Sequence, residues 1–268
     1  MSEFTIFGST GFVGRNLVDH LSKSGHGVRA VTRRNWPNDD ESLGHVIYTI
    51  GLTADFRTRA HDTIEAHVSL VSRLLKTARF ESFLFLSSTR VYRSAEATSE
   101  ETPLRVSSIN PDHLYNLSKL CGEAICLAHP SPKVRIARLS NVFGDNNDSP
   151  SFLNAVYSEA VSSGRVTLGQ ALASGKDYVH VDDVSAALHH IAVSGQQRLY
   201  NVAAGFNTTH EEVVEAIAAG TGAQITVARD ATLVTDLPID ISRLAGEMSW
   251  RPSRLRDYLE SRSGRPSG

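Results

Sequence analysis

The sequence predicts an α/β fold built on a doubly wound parallel sheet. Three observations carry that expectation. The apolar strand Phe4-Thr5-Ile6-Phe7 runs into a glycine-rich turn and then an amphipathic helix with apolar positions at 13, 17, 18 and 21. A second strand follows soon after that helix, at 27–32. Apolar strands at 46–51 and 83–88 then alternate with helical patterns at 64–79 and 114–128.

Each glycine of the turn Gly8-Ser9-Thr10-Gly11-Phe12-Val13-Gly14 has a physical task. Gly8 permits the turn off the strand, Gly11 lets backbone approach a pyrophosphate, and Gly14 lets the helix pack closely on the sheet. The helix N-terminus offers free N–H groups and partial positive charge to phosphates. The glycines are spaced three and three, against two and three in the usual dinucleotide fingerprint. The flanking strand and helix nevertheless supply the context that fingerprint demands. Gly8, Thr10, Gly11, Phe12, Val13 and Gly14 are therefore expected to hold a pyrophosphate in a Rossmann-type fold. The second strand ends in Thr32-Arg33-Arg34 with no acid. An acid at this place holds the 2′-hydroxyl of NAD, whereas an arginine accommodates the 2′-phosphate of NADP. Arg33 and Arg34 thus point to NADP(H), with NAD(H) as the alternative.

In Tyr115-Asn116-Leu117-Ser118-Lys119, the tyrosine and lysine lie four apart on one helix face. An ammonium there lowers the pKa of a nearby phenol, ordinarily about 10. A phenol so tuned exchanges a proton with a sugar or alcohol oxygen near neutral pH. Taken alone, the pair more often describes a surface ring beside a solvated lysine; the segments upstream decide.

With the glycine turn, the Tyr-Lys pair and Phe83-Leu84-Phe85-Leu86-Ser87-Ser88-Thr89-Arg90-Val91-Tyr92, the chain resembles the extended short-chain dehydrogenases/reductases. This is the NAD-dependent epimerase/dehydratase group, which works mostly on nucleotide sugars. The resemblance runs nearly end to end. It includes Thr102-Pro103-Leu104, the run from Arg138 to Gly144, Asp177-Tyr178-Val179-His180-Val181-Asp182-Asp183-Val184 and Tyr200-Asn201-Val202-Ala203. It implies Tyr115 as general acid/base, Lys119 as the cation that tunes it and binds the nicotinamide ribose, and Ser88 as donor to the substrate oxygen. It places Thr49, Ile50, Gly51, Ser87, Leu139 and Ser140 along the cofactor, together with Tyr115 and Lys119. Thr89 and Asn141 fall to the substrate. Lys176 stands where relatives often place an arginine on the nucleotide phosphates; a lysine keeps the charge and loses the bidentate fork.

The departures are as informative. Only residues 35–45 separate Arg34 from the next strand, too few for a helix, a strand and two turns. One crossover unit after strand 2 should be lost or collapsed to a loop, leaving Trp36, Asp39 or Asp40 to wall the adenine. His67 stands where the family usually has Asn. Dehydratases of the group need Thr-Asp-Glu where this chain has Ser88-Thr89-Arg90, which argues against dehydration. The expected function is an NAD(P)-dependent oxidoreductase acting on a nucleotide sugar, by hydride transfer in a 4-keto reduction. A nucleotide-sugar 4-epimerase is the alternative. A non-catalytic NADP(H)-binding regulatory protein is the alternative of another class.

At 268 residues the chain makes one large domain or a domain with a small appendage. The expected division is a dinucleotide-binding domain at 1–145, a mixed segment at 146–260 that completes the sheet and forms a small C-terminal substrate-binding cap, and a disordered tail at 261–268. Stretches 94–111 and 145–151 read as loops over the site. A helix opens at His210, capped by Thr208 or Thr209. A net charge of −2 gives no footprint for nucleic acid or an anionic membrane. No apolar run reaches the roughly 18 residues of a membrane span. Met1-Ser2-Glu3 leads straight into a strand, so no targeting segment is expected and the cytoplasm is the expected location. Cys121 and Cys126 point apart on one helix and are expected as buried thiols. The eleven histidines make no zinc pattern, and no metal is expected. The family resemblance implies a homodimer in which helices 64–79 and 114–128 of two copies form a four-helix bundle.

Overall fold

The computed structural model describes residues 1–39, 41–145 and 151–263. Asp40, the 146–150 part of the expected loop and 264–268 of the expected tail lie outside the described residues.

Strand β1 (Glu3–Phe7) leads through the glycine turn into α1 (Phe12–Lys23) and β2 (Gly27–Val31). The chain then returns across β1 to β3 (His45–Tyr48), so the course reverses between β1 and β3. A helical run follows: α2 (Ala60–Ile64), a π-helical stretch (Glu65–Ser69) and α3 (Leu70–Thr77). Next come β4 (Ser82–Ser88), short 3₁₀ turns at Thr89–Tyr92 and Pro111–His113, α4 (Leu114–Ala128), β5 (Val134–Leu139) and β6 (Asn141–Phe143). The remainder is α5 (Phe152–Ser163), β7 (Arg165–Gln170), β8 (Gly175–His180), α6 (Val181–Ser194), β9 (Leu199–Val202), β10 (Asn207–Thr209), α7 (His210–Thr221), β11 (Gln224–Thr232), α8 (Ser242–Glu247) and α9 (Leu255–Ser263).

Among the described residues the main sheet has six strands in the order β2-β1-β3-β4-β5-β9, every pairing parallel. Its strands are apolar runs because both faces are covered. Along β4, Leu84 and Leu86 enter one core with Leu17 and Leu21 of α1 and Leu188 and Ile191 of α6. Phe83 and Phe85 enter the opposite core with Val71 and Leu74 of α3 and Cys126 of α4. A third core joins Leu153, Val156, Val213, Ile217, Leu255 and Leu259 from α5, α7 and α9. β9 completes the main sheet from well beyond residue 146.

The shortened crossover is as expected: β2 is the sheet edge, and the described residues from 32 to 44 hold neither helix nor strand. An Arg29–Glu41 ion pair draws this loop over the edge strand, covering and charging an edge that would otherwise offer itself for pairing. Helix α4 has the expected bounds. Thr209 caps α7 in a full capping box with Glu212.

Three expectations change. The helix expected at 64–79 starts at Ala60 and ends at Thr77. His61 and Asp62 are exposed and add nothing to an apolar period, and Ala78 is extended. Cys126 is buried, but Cys121 lies on the outer face of α4 and is exposed. Residues 261–263 of the expected tail continue α9, whose Leu255 and Leu259 are in the third core.

Beneath the sheet's C-terminal edge lies a buried ion pair. Arg138 on β5 grips Glu123 on α4 with Nη2–Oε2 at 2.6 Å and Nε–Oε1 at 3.0 Å; both side chains are about 5% exposed or less. Ser87 of β4 donates to the same carboxylate. Arg138 Nη1 donates to the Tyr92 hydroxyl at 2.7 Å, which donates to Asn201 Oδ1 at 2.8 Å. Helix α4, strands β4, β5 and β9 and the Thr89–Tyr92 turn are thereby tied together. Removing one buried charge strands the other, so Glu123→Ala should cost about 3–5 kcal/mol of stability. The double variant Glu123→Leu/Arg138→Met should recover much of that loss in chemical denaturation, and a single variant as stable as the wild type would contradict this account.

At the opposite end of the sheet, Phe4 is ringed by histidines the sequence left unassigned. Its ring centroid is 5.1 Å from His26, 5.1 Å from His45 and 5.5 Å from His189, and His20 lies 5.7 Å from His189. Burial, then the neighbouring histidines, pushes His189 down to about 4. Burial likewise lowers His20 and His45, with Asp182 and Glu81 pulling the other way. Between the ordinary value of 6.5 and about 4, the unfolded chain binds protons that the folded chain refuses, so stability falls as pH falls through that window. Thermal melts across it should show a declining Tm, and His189→Phe should flatten the decline.

Candidate active site at the switch point of the sheet

The site forms where the chain reverses, outside the C-terminal ends of β1 and β3, the usual crevice for ligands in open α/β sheets. Gly8 has φ +82°, a left-handed conformation that a side chain would strain. A Cβ on Gly14 would lie 2.3 Å from the Gly8 carbonyl oxygen, so α1 abuts the turn through bare backbone. Helix α1 has no side-chain cap and no acid in its first turn, leaving its N–H groups free for an anion. This cradle fits a pyrophosphate. Thr49 braces it: its hydroxyl lies 2.8 Å from Phe7 O and 3.1 Å from Gly8 O, and donates to them. Ile50 is half-buried beside it and Gly51 is exposed.

Past β2, Asn35 closes a turn by accepting from the Thr32 N–H at 2.6 Å and hydroxyl at 2.7 Å. Arg33 and Arg34 are exposed on this turn, and their guanidiniums pair with nothing among the described residues. Trp36 sets its ring 5.0 Å from that of Phe7, at the end of β1. Asp39 instead accepts from Thr77 at 3.2 Å.

Tyr115 and Lys119 project from α4 toward the end of β4, both nearly inaccessible. Lys119 Nζ donates to Leu86 O at 2.8 Å and lies 5.9 Å from the Tyr115 ring centroid. Burial pushes this ammonium down to about 7, against the pull of Glu123. Burial raises the Tyr115 phenol, opposed by a hydrogen bond with Ser88 and by the charge of Arg90. Arg90 is thus a second cation beside the phenol, in addition to Lys119. Ser88 ends β4 and caps the following turn, its Oγ accepting from the Arg90 N–H at 3.2 Å.

His67 sits in the π-helical stretch, wholly buried, its ring 5.5 Å from that of Tyr115. Nε2 accepts from the Leu52 N–H at 3.1 Å, so Nδ1 carries the proton and donates to Ser118 Oγ at 2.8 Å. Burial and the charge of Lys119 push it down to about 2, and it is neutral. Tyr48 donates to Ala66 O at 2.6 Å beside it, fixing a backbone carbonyl within the π stretch. Such stretches recur at functional sites.

A cavity of about 630 Å³ opens beside Ser88. Ser88, Thr89, Ser140, Asn141 and Lys176 line it, as does the segment 233–239. Asn141 Nδ2 donates to Asp177 O at 2.8 Å, and Asp177 accepts from the N–H groups of Ala204 and Gly205 at 2.9 and 2.7 Å. Burial lowers Lys176, with Asp236 opposing. Tyr115 and Lys119 are not on the cavity wall, and neither are Ser87 and Leu139. Phe56 and Arg90 cover the Tyr115 ring, with centroids 5.7 Å apart for the two rings and the guanidinium 5.3 Å from the phenol ring. Glu123, Phe56 and the 233–239 wall escaped the sequence. Only Glu123 left a signal, continuing the spacing of four from Tyr115 through Lys119.

The model of the NAD-dependent epimerase/dehydratase family matches residues 4–203. A UDP-glucose 4-epimerase of Mycolicibacterium smegmatis is 28% identical over 271 residues, covering 81% of this chain and 82% of that one. A dTDP-glucose 4,6-dehydratase of Streptomyces griseus is 28% identical over 148 residues, 53% of this chain and 44% of that one. Among solved structures, MoeE5 in complex with UDP-glucose and NAD superposes with TM-score 0.79 at 20% identity, covering 97% of each chain. RMD from Pseudomonas aeruginosa complexed with NADPH gives TM-score 0.78 at 21% identity, again covering 97% of each. With a family model spanning most of its length and a glycine cradle fit for a dinucleotide, this chain belongs to the NAD-dependent epimerase/dehydratase family and is an enzyme of that kind.

Proposed function

We propose that this enzyme transfers a hydride at C4 of a nucleotide sugar, in the direction of 4-keto reduction with NADPH. The observation that carries it is the gathering of Ser88, at the end of β4, with buried Tyr115 and, one helical turn on, buried Lys119, where Ser88 opposes the rise that burial imposes on the phenol. Beside it, the cavity is lined by the hydroxyls of Ser88, Thr89 and Ser140 and by Lys176. The bound nicotinamide would supply the hydride. The Gly8–Gly14 turn would hold the pyrophosphate, Arg33 and Arg34 the 2′-phosphate, and Trp36 would wall the adenine where a strand is missing. In reduction, Tyr115 gives its phenolic proton to the carbonyl oxygen as C4 gains the hydride. Ser88 donates to that oxygen and stabilises the charge that grows on it. Lys119 lies close enough to the phenol to favour its ionised form once the proton has gone. Arg33 and Arg34, unpaired after a strand with no acid, favour NADPH. The absence of an acid in Ser88-Thr89-Arg90 disfavours elimination.

C4 epimerisation is the second reading, favoured by the likeness to the mycobacterial UDP-glucose 4-epimerase over most of both chains. We further propose that two copies associate through the α2–α3 and α4 helices, where Ile64 and Leu127 are exposed. Sedimentation should then report a dimer.

Tyr115→Phe should lower kcat on the order of 10²–10⁴-fold while cofactor affinity, read by nicotinamide fluorescence, stays constant. Replacing Arg33 and Arg34 by alanine should weaken NADPH far more than NADH; equal losses would remove the 2′-phosphate assignment. NADPH consumed one-for-one with a nucleotide 4-keto sugar supports reduction, whereas interconversion of C4 epimers without net cofactor change replaces it by epimerisation.

A further inference from the structure

Arg90 is a cation without an anion. Its guanidinium rests on two aromatic faces, 4.9 Å from the Phe56 ring centroid and 5.3 Å from that of Tyr115. Its Nε is buried and has no hydrogen-bond partner, and the guanidinium forms no ion pair among the described residues. The acid within its reach, Asp112, is taken by Arg57 at 2.5 Å. The backbone of Arg90 is held at both ends of the catalytic apparatus. Its N–H donates to Ser88 Oγ, and its carbonyl accepts from Asn116 Nδ2 on α4 at 3.2 Å. Arg90 lines the cavity together with Ser88 and Thr89, and Arg93 adds a second positive charge to the lining. Of the acids that line this cavity, Asp177 is committed to two backbone N–H groups and Asp236 acts on Lys176.

The buried Nε is out of a ligand's reach, but the Nη groups donate to no atom among the described residues and are left for a ligand. A guanidinium's planar fork matches a carboxylate with two parallel hydrogen bonds. We propose that Arg90 recognises a carboxylate on the sugar next to the reacting carbon, so that the substrate is a nucleoside-diphosphate uronic acid. This rests on the nucleotide-sugar reading above and adds the charge of the hexose. A neutral hexose offers Arg90 only hydroxyls. A uronate gives it a counterion beside Tyr115, while Lys176, also on the cavity lining, remains for the diphosphate.

The test uses matched ligands that differ only at C6: UDP-glucuronate against UDP-glucose, and the corresponding dTDP pair. Each is titrated calorimetrically into the full-length protein saturated with oxidised cofactor. For the wild type, the uronate should bind tighter by on the order of tenfold to a hundredfold, the range of a charge-assisted pair. In Arg90→Met that ratio should fall to about one, with Arg90→Lys between the two because it keeps charge and loses the fork. Melting temperatures near that of the wild type confirm that the variants are folded. A wild type without preference for the uronate overturns the proposal. So does an Arg90→Met variant that weakens both sugars equally, which would assign the guanidinium to the diphosphate. In either case the neutral sugar still binds and the nucleotide-sugar reading stands; if no nucleotide sugar binds at all, that reading falls with it.

Discussion

Glu123 and Arg138 meet almost out of reach of water, and the geometry of the site hangs on their meeting. A buried ion pair offsets its desolvation only when distances and secondary hydrogen bonds are all met. Here Ser87, Tyr92 and Asn201 complete the set, so β4, β5, β9 and the Thr89–Tyr92 turn cannot drift relative to α4 without breaking it. Tyr115, Lys119 and Glu123 share one stripe of α4. The anchor of the helix is therefore also the anchor of the acid/base pair, and Glu123 supplies the countercharge that keeps Lys119 from falling further.

The glycine cradle depends on a different constraint, the reversal of the chain between β1 and β3. Thr49 at the end of β3 donates back to the turn after β1, so the two strands that flank the crevice hold its backbone. Losing a crossover unit leaves this crevice intact because the missing elements would have lain beyond β2. What changes is the outer side, where Trp36 rests on Phe7 and the Arg29–Glu41 pair covers the bare edge.

Burial is the leading influence on the phenol. Tyr115 is raised by desolvation, and the groups that oppose this are Ser88 and Arg90. Lys119 spends a hydrogen bond on Leu86 O and lies under the ring, beside a His67 that burial keeps neutral. A neutral imidazole adds no repulsion to the ammonium and fixes the 52 loop, Ser118 and the π stretch in one arrangement.

The sequence alone determined whatever is written in neighbouring residues. The strand, glycine turn and helix at 4–21, the bounds of α4 and the capping box at Thr209 follow from patterns a few residues long, where local sterics and hydrogen bonds decide. The shortened crossover was legible too, because eleven residues cannot hold a helix, a strand and their turns. The tertiary structure decided what depends on partners distant in the chain. Arg90 lies over Tyr115, Glu123 pairs with Arg138, and the 233–239 segment walls the cavity. Three histidines, from the turn before β2, β3 and α6, gather around Phe4, and His20 of α1 meets the last of them. The first 3₁₀ turn shows the boundary between the two. Its residues, Thr89 to Tyr92, were legible as a motif, yet the guanidinium's place on the phenol depends on Phe56, whose loop only the folded chain brings there. Local pattern carries no information on such pairings, since they are set by how helices and strands pack after they form.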